Sequence, residues 1–113
     1  MSIQRIEPGA RMSQAVVHGD TVYLAGQVAA GATVVEQSKA ALQRVDELLA
    51  SVGSDKSKLL SVTIYLADIA TFADMNSVWD AWVDGANPPA RATVEAKLAT
   101  PDYFVEFAVT AAI

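Results

Sequence analysis

Apolar and polar residues alternate with period two in several short runs of this chain, and with a period near 3.6 in two longer ones. Ile3 to Ile6 alternates briefly before Pro8-Gly9 and predicts a short strand. Ala15-Val16-Val17-His18 and Thr21-Val22-Tyr23-Leu24-Ala25 flank Gly19-Asp20, which suits a two-residue hairpin turn with glycine supplying the positive φ. Gly26-Gln27 ends the second of these runs, and a glycine there permits a bulge or the close approach of a ligand or another backbone. From Thr33 the period changes. Val34, Ser38, Leu42, Val45, Leu48, Leu49 and Val52 recur at helical spacing, opposite a polar face of Glu36, Gln37, Lys39, Gln43, Arg44, Asp46 and Glu47. Thr33 with Glu36 reads as a capping box, and Gly53 stands where a helix C-terminal glycine belongs.

After the polar turn Ser54 to Ser57, Leu59 to Leu66 predicts a strand with Leu60, Val62, Ile64 and Leu66 on one face and Ser61, Thr63 and Tyr65 on the other. Thr71 is positioned to cap a second helix whose apolar stripe is Phe72, Met75, Val78, Trp79 and Trp82. Gly85 and Pro88-Pro89 stop that helix. Ala90 to Leu98 sets Ala92, Val94, Ala96 and Leu98 against Arg91, Thr93, Glu95 and Lys97. Tyr103 to Ala111 sets Val105, Phe107 and Val109 against Glu106, Ala108 and Thr110. The order βββαβαββ, with both helices needing a sheet face to cover, predicts a two-layer α+β domain. The other sheet face is mixed rather than polar, as expected of a surface covered by partner subunits.

Composition narrows the picture. The chain's 113 residues fit one domain, spanning 1–113, and the absence of cysteine excludes disulfides, thiolate zinc sites and a thiol nucleophile. A formal net charge of −5 argues against binding to a phosphate backbone, which requires a basic patch. The apolar fraction of 52% is high for so short a chain and points again to a subunit interface. Neither a basic-then-apolar leader nor a membrane-length apolar run is visible, so a cytoplasmic protein is expected.

Few residues could carry chemistry. His18 is the only histidine and sits beside a hairpin turn, with no second imidazole to complete a metal site. Asp80 and Asp84 read as a solvated acidic face, Gly26 and Gly31 do not belong to a phosphate loop, and Trp79 and Trp82 fit a buried stripe. Arg91 stands out as a basic residue in apolar company, delivered by a rigid double proline to the start of a strand. Its guanidinium could pair with a surface acid, or it could clamp a carboxylate or phosphate bidentately. Glu106 is placed with it, on the mixed face of a neighbouring final strand. The two read either as a cross-strand ion pair or as an anion clamp beside a water-activating carboxylate.

Tyr23-Leu24-Ala25-Gly26-Gln27, Leu66-Ala67-Asp68, Phe72-Ala73-Asp74-Met75-Asn76, Pro89-Ala90-Arg91 and Val105-Glu106 occur in an order and spacing that resemble the RidA/YjgF family of enamine/imine deaminases. Trp79-Asp80-Ala81-Trp82 looks most like the branch that includes YoaB. The resemblance implies a chorismate-mutase-like fold, a mixed six-stranded sheet with two helices on one face, assembled as a homotrimer with clefts between subunits. It implies hydrolysis of reactive 2-imino acids, such as 2-iminobutanoate or 2-iminopropanoate, to 2-oxo acids and ammonia without a cofactor or metal. By matching position, Arg91 would clamp the substrate carboxylate and Glu106 would orient water. Gly26 would line the cleft wall, and Asn76 matches the family's helix asparagine. Met12 stands where RidA-type members carry a tyrosine, Thr93 where they carry a cysteine, and Ala108 where they carry a second acid. Those departures keep open a different class of function, a non-catalytic trimer that binds small carboxylates as a sensor.

Overall fold

The computed structural model describes residues 1–113. Its strands are β1 (Ile3–Ile6), β2 (Ala15–His18), β3 (Thr21–Leu24), β4 (Leu59–Leu66), β5 (Ala90–Glu95) and β6 (Val105–Ala112), and its helices are α1 (Val34–Ser51) and α2 (Phe72–Trp82). They form one six-stranded sheet in the order β1-β2-β3-β6-β4-β5. Every pairing is antiparallel except β4 with β5, which the α2 crossover makes parallel. Gly19 takes φ of +61° in the β2–β3 turn, as the hairpin reading requires.

Both helices cover the same sheet face. Val22 and Leu24 of β3, Val62, Ile64 and Leu66 of β4, and Val105, Phe107, Val109 and Ala111 of β6 are buried there. Opposing them are Ala41, Leu42, Val45, Leu48 and Leu49 of α1 and Met75, Val78 and Trp79 of α2. Helix α1 starts as its sequence specifies. The Thr33 hydroxyl accepts from Glu36 N at 3.1 Å, and the Glu36 carboxylate accepts from Ala32 N at 2.8 Å. It ends with Gly53 at φ +78° and Ser54 N donating to Leu49 O at 2.9 Å.

Four sequence expectations are corrected. Leu60 does not join the core: a register shift between Leu59 and Ser61 puts Leu59 inside and leaves Leu60 half exposed. Gln37 belongs to the buried side of α1. Its amide is satisfied by Gly31 O and Asp102 O as acceptors and by Phe104 N as donor, which ties the helix start to two loops. Thr71 makes no side-chain cap for α2. Asp68 instead caps a 3-10 turn, Ile69–Thr71, that runs directly into the helix. The last correction concerns β5. Arg91 is registered with buried Val62, so Arg91 and Thr93 face the helices while Ala92 and exposed Val94 face the open side.

Candidate functional site

Arg91 is the second residue of β5, directly after the Pro88-Pro89 turn, where α2 lies over the start of the strand. Phe72, Asn76 and Trp79 follow one another at four- and three-residue intervals, so α2 presents them along one stripe. That stripe holds the guanidinium. Arg91 Nη1 donates to Asn76 Oδ1 at 2.7 Å, and Arg91 Cζ lies 5.3 Å from the centroid of the Trp79 ring and 5.8 Å from that of Phe72. No carboxylate pairs with it, because the one ion pair of the chain is Arg44 with Glu7 at 2.8 Å. Asn76 is the only side chain bonded to the guanidinium, so its remaining N–H groups have no acceptor within the chain. A half-buried cation oriented by an amide and two aromatic rings, with donors unused, is ready for an anion.

Thr93 lies two residues along the same face of β5. Its hydroxyl is buried and has no hydrogen-bond partner, a cost that a ligand could relieve. Arg91, Asn76 and Thr93 are therefore brought together as one half of a site.

Glu106 is not with them. Strand β4 separates β5 from β6, so the two strands are not neighbours. Glu106 also alternates with fully buried Val105 and Phe107, which puts it on the face away from the helices. Arg91 and Glu106 thus project from opposite faces of one sheet, and no ion pair between them is possible. Glu106 lies against Gly26. A Cβ built on Gly26 would fall 2.8 Å from Glu106 Cδ and closer still to Oε2. Glycine is required there for space alone.

Gly26 is pinned by its neighbour. Gln27 is buried and exchanges both backbone hydrogen bonds with Phe107, at 2.8 and 3.0 Å, while its amide donates to Gln14 Oε1 and Ala25 O. Met12, half exposed, is two residues before Gln14, whose carbonyl accepts from Ala25 N at 2.9 Å. Glu106 and Gly26, with the segment carrying Met12 tethered next to them, form a second half-site.

Sequence reasoning missed Phe72 and Trp79 as partners of Arg91, and Gln27 and Gln14 as supports of Gly26. The polar Asn76 set in line with Phe72 and Trp79 was a usable signal; the burial of Gln27 and its bond to Gln14 left none. His18 is exposed beside its turn, and no cluster of three metal-ligating side chains exists. No helix is long and apolar enough to cross a membrane.

Comparison with known proteins places the chain among relatives of the same fold. A family model described as endoribonuclease L-PSP matches residues 2–113. The RutC family protein YoaB of Escherichia coli is 43% identical over the full length of both chains. A crystal structure of a YjgF family member from Neisseria meningitidis is 43% identical and superimposes with a TM-score of 0.97 over 99% of this chain and 95% of that one. A rat protein named 2-iminobutanoate/2-iminopropanoate deaminase is 33% identical, covering 74% of this chain and 66% of its own length. The fold is chorismate-mutase-like, and the chain belongs to the RidA/YjgF family, on the side that includes YoaB.

Proposed function

We propose that the protein hydrolyses small 2-imino acids, in imine or enamine form, to 2-oxo acids and ammonia, in clefts between the chains of a homotrimer. The observation that carries this reading is the guanidinium of Arg91, held by Asn76 and Trp79 with no carboxylate of its own. A substrate carboxylate docked there leaves C2 and its imine nitrogen projecting past the edge strand β5. Water adds to C2 and the C=N bond becomes a C–N single bond. Glu106 takes one proton from the water and passes it to nitrogen, giving a carbinolamine. It then takes the hydroxyl proton and passes it to the amine, so the C–N bond breaks and ammonia departs as the C2 carbonyl forms. No electrons leave or enter, so binding, orientation and proton transfer suffice.

Within one chain Arg91 and Glu106 face apart, so the reaction requires Glu106 of a second copy. The uncovered sheet face, with Tyr23 and Val94 roughly half exposed, is the surface for that assembly. The rat relative's name supports the reaction class, whereas YoaB is named only by its family. The family model's description suggests RNA cleavage, but net charge −5 and a single exposed histidine offer neither a phosphate track nor a histidine pair.

A second reading, a trimer that binds 2-oxo or other small carboxylates without turnover, is favoured by Met12 and Thr93 at positions where better-known relatives carry tyrosine and cysteine. The discriminating experiment generates iminopropanoate with an amino-acid oxidase and follows loss of the imine. Wild type should exceed the uncatalysed rate, and Arg91→Ala should lower kcat/KM by about 100-fold or more. Wild type indistinguishable from the uncatalysed rate, together with calorimetric binding of pyruvate, would leave the binding module as the function.

A further inference from the structure

Asn76 does more than sit near the site. It spends one N–H of Arg91 Nη1 in a 2.7 Å hydrogen bond, and no other acceptor in the chain takes any guanidinium donor. We propose that Asn76 and Trp79 are positioning residues that choose which edge of Arg91 receives the substrate: the Nε–Nη2 edge, bidentate and side-on. This inference rests on the carboxylate clamp proposed above and adds to it the docking edge and the two residues that impose it.

A guanidinium has two forks that can accept a carboxylate bidentately: the end-on Nη1–Nη2 fork and the side-on Nε–Nη2 fork. With one N–H of Nη1 engaged by the Asn76 carbonyl, the side-on fork is the one in which neither nitrogen has a partner in the chain. Trp79 is 6% exposed, and its ring centroid lies 5.3 Å from Cζ, so it is fixed by the core and in turn fixes the guanidinium. Phe72 flanks the cation from a more exposed position, 5.8 Å away. Asn76 is a neutral amide. It orients the cation without neutralising it, which an aspartate at the same position could not do.

The test reads the Arg91 Nε–Hε resonance by 15N NMR on the intact wild-type protein, first alone and then titrated with 2-oxobutanoate. Without ligand, wild type should give an ordered Arg91 signal with slow rotation about Nε–Cζ, and Asn76→Ala should lose that slow rotation. On titration the wild-type Hε should shift on saturation. Calorimetric Kd for 2-oxobutanoate should rise roughly tenfold in Asn76→Ala and more in Asn76→Asp, whose new carboxylate competes for the cation. In the imine assay Asn76→Ala should raise KM with kcat nearly unchanged, and Trp79→Phe should retain most of the affinity that Trp79→Leu loses. If Asn76→Ala is folded and binds 2-oxobutanoate within twofold of wild type through Arg91, the positioning inference is wrong and the hydrolase reading stands. If the wild-type Arg91 signal is ordered by Asn76 but no carboxylate shifts it, the clamp itself is wrong, and this inference falls with it.

Discussion

Glu106 owes its place to an absence. Gly26 has ordinary backbone dihedrals, so alanine fits its conformation, yet a Cβ would overlap the Glu106 carboxyl group. The carboxylate is the movable partner, and Gly26→Ala should therefore leave the fold intact while displacing the group assigned to proton transfer. Thermal midpoints should agree within a few degrees, and kcat for imine hydrolysis should fall at least about tenfold. Thr93 offers the opposite signature. Its buried hydroxyl has no partner in the unliganded chain, so Thr93→Val removes an unsatisfied group and should stabilise the protein by up to about 1 kcal/mol in urea unfolding. If the hydroxyl is held for the ligand, the same variant binds 2-oxo acids more weakly. A variant both less stable and equally tight would contradict that role.

The elements themselves were readable along most of the chain, because helix caps, turn glycines and alternation are local signals. Thr33, Glu36 and Gly53 bound α1 as their chemistry demands, and Gly19 turns the first hairpin. Helix α2 starts after Thr71 as the sequence indicates, but the Thr71 side chain makes no cap: a threonine before an acidic first turn resembles one, while the 3-10 turn capped by Asp68 gives no distinct pattern. Asp68 Oδ1 accepts from Ala70 N at 2.9 Å, whereas the Thr71 hydroxyl only donates to the Asp68 carbonyl. Asp68→Ala should accordingly cost about 1 kcal/mol by chemical denaturation, and Thr71→Ala clearly less. Equal losses would restore Thr71 as the cap. The orientation of β5 was not readable, for a physical reason. Alternation shows which residues share a face; polarity decides which face goes inward only when the layer above is wholly apolar. Here α2 meets the strand with Asn76 between two aromatic rings, so Arg91 finds its partners inward, Thr93 is carried to the same face by the alternation, and Ala92 and Val94 are left outward. Arg91 and Glu106 were identifiable as residues; their separation onto opposite faces was not, since it depends on that inversion and on β4 lying between their strands.

At the scale of the whole molecule, the proposed hydrolysis needs both candidate half-sites together. One chain carries a guanidinium without an acid on its helix-covered face and, on its open face, a carboxylate that no basic residue pairs with. Neither half can both hold a substrate carboxylate and activate water, and in the homotrimer proposed above the open face of another copy would supply the missing half. The measurement that tests this most directly is imine hydrolysis by co-expressed Arg91→Ala and Glu106→Gln chains, each inactive alone. Random assortment in trimers leaves about a quarter of the clefts with both groups intact, and the mixture should recover about that share of wild-type activity. A mixture as inactive as its parents, from particles shown to contain both chains, would contradict a site shared between subunits.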